Sequence, residues 1–352
     1  MSHPLKPIDV AVVGLGIAGT GIHLKALRQD PRFRVTGVAD PDPERQERVS
    51  AEWKCPAFSS VDELLEGCDA ELVIIATPTH FHERDARAVL DHGRHCLLEK
   101  PMALGYQAAA SLHQHACNRQ RLLAINHSHL YRSDFYFLRE VIRSGLLGEL
   151  FEISFNWSSY KRRNDWQTLR ANGGGHLGNH GTHALSILLP LVGGRVTSLS
   201  ASVRHLKDAG DAEDHAHLFL KTDNGIAANL IVSTCLAIPG PRYALYGSHG
   251  AAVSDGSGTV RLRYYDAKAA PPLALVSGPR QPAPPESLPW AEEVREIKAE
   301  VPYRNVHDNL FSSIREQAPL LSSSGEALEV MRMIDWAVTG RDPAGADTTQ
   351  KD

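Results

Sequence analysis

Ile8-Asp9-Val10-Ala11-Val12-Val13-Gly14-Leu15-Gly16-Ile17-Ala18-Gly19 is the stretch that decides the fold. Its apolar run stops abruptly at Gly14 and an amphipathic segment continues from Ala18 to Arg28, which predicts strand, turn and helix. The three glycines fit Gly-x-Gly-x-x-Gly in the context that gives the spacing physical meaning, after a strand and at the mouth of a helix. Gly14 would make the tight turn, Gly16 would let backbone approach a pyrophosphate, and Gly19 would let helix and strand pack closely. Amides around Gly16, Ile17 and Ala18 then face the anion. The stretch is expected to open a dinucleotide-binding domain.

Working outward, Phe33 to Ala39 is a second apolar segment that stops at Asp40, and Pro41 to Glu52 reads as a helix. Asp40 lies 21 residues beyond Gly19, where a carboxylate can bind both ribose hydroxyls of NAD and would repel a 2′-phosphate. Its other reading is the N-cap of the helix that follows. Nearby Arg45 keeps NADP as the alternative cofactor. Glu71 to Ala76 is a buried strand closed by Thr77-Pro78, His82 to His92 is helical, and His95 to Leu98 is a strand ending at Glu99-Lys100-Pro101. Gln107 to Arg119 and Leu122 to Ile125 add a helix and a short strand. Apolar strands alternating with helices predict an α/β, doubly wound parallel sheet over residues 1–125.

Beyond that point the texture changes. A helix over Ser133 to Arg143 precedes strand-like segments at Leu150–Trp157, Val196–Arg204, His215–Lys221, Ile226–Thr234 and Arg242–Tyr246. These predict an α+β domain over 126–340 with a large, mostly antiparallel open sheet. Ala267 to Pro289 reads as an irregular Pro-rich excursion, and Asn305–Gln317 and Glu326–Trp336 as closing helices. The tail 341–352 is polar and expected to lack fixed structure.

Composition limits the function. Lys+Arg 37 against Asp+Glu 41 gives a net charge of −4, and no long run of one sign is present to track a nucleic-acid backbone. Five widely spaced cysteines without a Cys-x-x-Cys pair read as reduced thiols rather than a disulfide framework. Neither a signal peptide nor a membrane span is legible, so a cytoplasmic protein without a membrane partner is expected.

Two segments carry the chemistry. Lys100 sits at the carboxyl end of a strand, where open α/β sheets bind ligands, and its ammonium can stabilise a substrate oxygen that gains negative charge. Gly173-Gly174-Gly175-His176-Leu177-Gly178-Asn179-His180-Gly181-Thr182-His183 places a glycine-rich turn before a helix. His183 can take or return a hydroxyl proton, and Asn179, four residues earlier on the same helical face, can fix its ring or contact substrate. His176, His180 and His183 have no acidic or thiol partner nearby to complete a metal shell, so no metal is expected.

Together these residues resemble the Gfo/Idh/MocA oxidoreductases, named for glucose-fructose oxidoreductase and inositol dehydrogenase. The resemblance rests on Gly14 to Gly19, on Ala76-Thr77-Pro78 followed by His82, on Glu99-Lys100-Pro101, on Ser144-Gly145-Leu146-Leu147-Gly148-Glu149 and on Gly173 to His183. It implies that Lys100 is the catalytic lysine, His183 the acid-base histidine, and Lys100-Pro101 a cis peptide. It also implies a cofactor site of Gly14, Gly16, Ile17, Ala18, Asp40, Thr77, Pro78, His82, Glu99 and Lys100. A substrate cleft between the domains would draw on Asn126, His127, Tyr131, Arg132, Tyr160, Arg162, Arg163, Trp166, Asn179 and His183. Where many members have Asp, this chain has Asn179, and a second common Asp is Ser186.

The expected activity is hydride transfer between NAD(P) and a secondary alcohol carbon of a sugar, cyclitol or sugar derivative. The alternatives are an oxidation-elimination enzyme of glycosidase or lyase type with recycled cofactor, and a non-catalytic NAD-binding regulator. The second sheet is expected to join the chains of a homodimer or homotetramer.

Overall fold

Six short, mostly apolar strands build the first sheet: β1 (Ile8–Val13), β2 (Phe33–Ala39), β3 (Ala57–Phe58), β4 (Leu72–Ile75), β5 (His95–Leu98) and β6 (Leu123–Ile125). The computed structural model describes residues 5–272, 275, 277–278 and 288–345. The six strands are parallel in the order β3-β2-β1-β4-β5-β6. The order reverses between β1 and β4, opening a crevice at their carboxyl ends. β4 is buried along its whole length, as a strand covered by helices on both faces must be.

The glycines of the first turn divide their work. Gly14 has φ +89°, and a Cβ there would lie 2.6 Å from the Ala76 carbonyl oxygen. A Cβ on Gly19 would lie 1.9 Å from the Gly14 oxygen, whereas one on Gly16 would meet nothing within 4 Å. The helix that follows is not the regular one the periodicity predicts. Gly19–Leu24 winds as a wider π-helical turn before Lys25–Arg28 becomes α-helical. Thr20 Oγ1 donates to the Gly16 carbonyl at 2.8 Å, in competition with the regular ladder, and Gly19 and Gly21 carry no Cβ to resist the wider path.

The helix after β2 starts later than expected, at Pro43, and its cap is Asp42, whose side chain accepts from the Glu44 and Arg45 amides. Asp40 is therefore not the cap. One carboxylate oxygen accepts the Leu15 amide at 2.7 Å and the other the Asp42 amide at 2.9 Å, which ties the end of β2 to the glycine turn.

The second sheet has eight strands: β7 (Leu150–Ser158), β8 (Val196–Arg204), β9 (His215–Thr222), β10 (Ala227–Ser233), β11 (Tyr243–Gly247), β12 (Gly250–Ser254), β13 (Thr259–Tyr264) and β14 (Ala291–Glu296). They run β14-β13-β12-β11-β7-β10-β9-β8 and, among the described residues, pair antiparallel except for β7 with β10. The last three strands have no counterpart in the sequence reading. β12 is small-residue rich, and edge strand β14, Ala-Glu-Glu-Val-Arg-Glu, is charged in the way that discourages edge-to-edge pairing.

The chain closes with helices Val306–Glu316 and Ser324–Thr339, the second started by a capping box of Ser323 and Glu326. Both return to the first sheet: Arg315 pairs with Glu71 at 2.6 Å, and the Ile125 amide donates to Ser322 at 3.0 Å. The tail is more ordered than expected as far as Gly345, because Asp342 is held by Arg332 at 2.9 Å. Residues 346–352, and 273–274, 276 and 279–287 of the Pro-rich excursion, lie outside the described residues.

The glycine geometry makes a paired prediction. Gly19→Ala forces the turn apart and is expected to destabilise the protein by about 1–3 kcal/mol, as overpacking does. Gly16→Ala enters open space and should stay within about 0.5 kcal/mol of the parent. Urea midpoints check both, and equal losses would contradict the division of labour.

Candidate active site

The loops that end β1, β4, β5 and β6 meet along the carboxyl edge of the parallel sheet. There β5 runs into Glu99-Lys100-Pro101, and the Lys100-Pro101 peptide is cis. Lys100 reaches across the cleft to the wide turn Leu177–Gly181. Its Nζ donates to Asn179 Oδ1 at 2.6 Å and to the Asn179 carbonyl at 3.2 Å. Burial lowers the Lys100 pKa, with the Glu99 charge opposing that shift and Arg163 adding to it.

Glu99 is a buried anchor beside that lysine. Its carboxylate lies 3.0 Å from His23 Nε2, accepts Asn126 Nδ2 at 2.8 Å and accepts the Lys100 amide at 3.2 Å. Burial pushes its pKa up, but the bonds from His23 and Asn126 and the Lys100 charge outweigh that and hold it at about 2. The Glu99 and Asn126 side chains are thus spent on each other inside the protein instead of lining an open cofactor or substrate surface.

His82 is buried between the loops that end β4 and β5. It is 1% exposed, with Nδ1 2.8 Å from the Pro101 carbonyl and Nε2 2.8 Å from the Thr77 carbonyl. Burial favours the neutral ring, which donates its one N–H to one of these two carbonyls and packs between the two strand-end loops. Thr77 gives its hydroxyl to Asp85 at 3.0 Å. Pro78 and Ile17 are exposed beside these loops.

Across the cleft, Gly173-Gly174-Gly175 folds back tightly over the segment before it. The Gly175 amide donates to the Gln167 carbonyl at 2.9 Å, and a Cβ on Gly174 would lie 2.3 Å from that same oxygen. His183 follows in helix Thr182–Val192, its ring 4.6 Å from His129 and stacked 6.2 Å from Trp157, with Nδ1 buried and unpartnered. Burial, reinforced by the Lys100 charge and by His129, His127 and His180, drives its pKa well below the usual histidine value. His180 is held at about 4 and His176 at about 3, again chiefly by burial.

Asn179 does not orient His183. The turn carrying it is π-helical, and its amide is committed to Lys100 and to Gln167 Oε1 at 3.2 Å. Nor does Ser186 replace a carboxylate, because its hydroxyl returns to the His183 carbonyl at 2.9 Å.

The expected substrate residues scatter. Tyr131 is in the core, 4% exposed, with its hydroxyl donated to Asn309 at 3.3 Å. His127 is buried against Ser322. Arg132 is exposed near Asp134, and Arg162 and Trp166 are exposed. Tyr160 is exposed under Lys207. Arg163 spends its guanidinium on Asp165 and Gln167. Gln167, His129, Trp157 and His180 surround the Lys100 and His183 pair without having been singled out in the sequence as cleft residues. Only position, not residue type, marks them. Among the described residues no three His, Cys, Asp or Glu side chains converge on a metal site, and no helix is long and apolar enough to cross a membrane.

A glycine turn, an acidic residue ending β2 and a lysine ending β5, on one edge of a parallel sheet, define a dinucleotide-binding oxidoreductase. The chain belongs to the Gfo/Idh/MocA family: residues 8–127 match its oxidoreductase, NAD-binding Rossmann model and 135–253 its C-terminal domain model. It is 30% identical over 228 residues to 1-carboxy-3-chloro-3,4-dihydroxycyclohexa-1,5-diene dehydrogenase of Comamonas testosteroni, an alignment covering 64% of this chain and 57% of that protein. It is 23% identical to the NADP(+)-dependent scyllo-inositol 2-dehydrogenase of Bacillus subtilis, over 94% of this chain and 93% of the relative. The fold is shared with the WlbA dehydrogenase from Bordetella pertussis, solved with NADH and UDP-GlcNAcA, at a TM-score of 0.76, 18% identity and coverage of 97% and 98%. The family model that matches the first sheet is an NAD-binding Rossmann fold.

The buried histidines set an acid limit on stability. His127 stays neutral in the folded chain down to about 3, whereas the unfolded chain takes up that proton near the ordinary 6.5. Between those values the unfolded state binds more protons, so stability falls as pH falls. His127→Asn should remove about 2 kcal/mol of the stability lost between about pH 6.5 and pH 5. Urea titrations at the two pH values test this, and an unchanged difference would contradict it.

Proposed function

We propose that the chain oxidises a secondary alcohol carbon of a sugar, cyclitol or sugar derivative, with Lys100 facing the substrate oxygen and His183 taking its proton. The observation that carries this reading is the Lys100 ammonium at the end of β5, held against the turn that leads into the helix of a neutral, unpartnered His183. Bound NAD supplies the hydride acceptor. Fit to that group rests on the open space at Gly16 and on the Asp40 carboxylate fixed beside the turn, a placement suited to ribose hydroxyls.

With Nδ1 enclosed, Nε2 of His183 accepts the hydroxyl proton in the tautomer that carries its hydrogen on Nδ1, and burial favours the neutral ring that this requires. As that proton leaves, charge develops on the oxygen beside Lys100, where a cation in a water-poor cleft stabilises it most. Relatives named for an inositol and a dihydroxycyclohexadiene support a ring diol or polyol as substrate. We further propose residues 1–125 and 126–340 as the two domains, and an association of chains through the outer face of the second sheet, where Phe219 is exposed. Phe219→Glu should reduce the light-scattering mass toward 38.5 kDa, and an unaltered assembly would place the contact elsewhere.

A screen of sugars, cyclitols and sugar acids with NAD and NADP, read by absorbance of the reduced cofactor, identifies the substrate. With it, Lys100→Ala should lower kcat by at least about 10²-fold, and near-normal turnover would remove Lys100 from its role. For oxidation the acid limb of kcat/KM should lie below the ordinary histidine value of about 6.5, since the active form is the neutral ring and its pKa is depressed. A limb at or above that value would exclude His183 as the base.

A further inference from the structure

The polar chain behind Lys100 is built from two donor-only ends and two amides between them. Arg163 Nη2 donates to Gln167 Oε1 at 2.6 Å, Asn179 Nδ2 donates to the same oxygen at 3.2 Å, and Lys100 Nζ donates to Asn179 Oδ1 at 2.6 Å. A guanidinium and an ammonium accept nothing, so every group is satisfied only when both amide oxygens point as they do. Arg163 is itself fixed by both oxygens of Asp165 at 2.8 and 3.0 Å, and by its own amide on Asp208 at 3.0 Å. The Gln167 backbone is clamped by Gly174 and Gly175.

We infer that Gln167, oriented by Arg163, is a positioning residue that turns the Asn179 oxygen toward Lys100, so that a neutral acceptor does the work of a carboxylate at this position. An unrestrained asparagine can present either end of its amide, and its NH2 end repels an ammonium. A carboxylate has two equivalent oxygens and needs no such partner. The glycine run and Asp165-Trp166-Gln167 therefore form one device whose purpose depends on residue 179 being Asn. The charged and titratable groups around Lys100 are Glu99, Arg163, His127, His129, His180 and His183. Glu99 is their one anion, and it is occupied by His23 and Asn126.

The catalytic consequence rests on the function proposed above, but the orientation of Lys100 can be tested without a substrate. In full-length protein labelled with [ε-13C]lysine, the Lys100 resonance is assigned by Lys100→Ala and titrated by NMR, with NADH binding used to show that each variant is folded. Gln167→Leu should move the Lys100 proton dissociation constant by at least about threefold, toward easier deprotonation, because the charged form loses its fixed acceptor. In an N179D background the same Gln167→Leu change should move it less than about twofold, the non-additivity expected of residues that act through one another. Gln167→Glu, which keeps acceptor oxygens and adds a negative charge, should leave the Lys100 proton dissociation constant at the parental value or lower it.

With a turnover substrate, Gln167→Leu should lower kcat about tenfold in the parent and less than about threefold in N179D, leaving KM for NAD within about twofold. Equal shifts in both backgrounds, or none in the parent, would overturn the inference. A Lys100 response as described, together with no polyol that reduces NAD, would leave the positioning role standing and refute the proposed reaction.

Discussion

An ammonium group taken out of water must be solvated by the protein, and at Lys100 that constraint shapes both sides of the cleft. From the first sheet comes Glu99, held by His23 and Asn126. From the second half come Asn179 and its support by Gln167 and Arg163. Without the lysine, the Asn179 amide oxygen would lose a donor and the buried Glu99 carboxylate a neighbouring positive charge. The bond between Lys100 and Asn179 thus links the carboxyl edge of the parallel sheet to the turn that introduces His183.

Burial, with Lys100 adding to it, sets the electrostatics of His183 across the cleft. A carboxylate at residue 179 would pair with Lys100 and hold nearby histidines closer to protonation. With Asn there, the neighbours that act on His183 are Lys100 and other imidazoles, so burial and repulsion act in one direction and the ring stays neutral. Neutral imidazole beside a cation is an arrangement for removing a proton from a group about to become negative. Under the proposed reaction this arrangement suits His183 to accept a proton, the role it takes when an alcohol is oxidised.

The first sheet was legible because a strand that is apolar on both faces, stopping at glycine and followed by helical periodicity, leaves few other folds. Gly14 and Gly19 show why: each is pressed against backbone that admits no Cβ. What the spacing could not show was which polar residues near the sheet edge turn inward. His82, Asn126 and Tyr131 have residue types suited to a ligand site, yet packing commits them to carbonyls, Glu99 and Asn309. Asn179 and His183 look like partners at a helical spacing of four, but the π-helical turn commits Asn179 to Lys100 and Gln167. Gln167 became visible only in three dimensions, since a lone glutamine in a loop carries no signal of its own. Strand β12 is rich in small residues and edge strand β14 in charged ones, so neither shows the alternation that marks half-buried strands, whereas β13, Thr-Val-Arg-Leu-Arg-Tyr, carries that alternation in its sequence.

The most direct test of the central claim follows the hydrogen. A substrate found by the polyol screen, deuterated at its carbinol carbon, is turned over with NAD, and both products are analysed by mass spectrometry and NMR. Stoichiometric deuterium at C4 of the reduced nicotinamide, released with a keto product, is the predicted result. Deuterium retained in the organic product or lost to water, with no accumulation of labelled NADH, would contradict it.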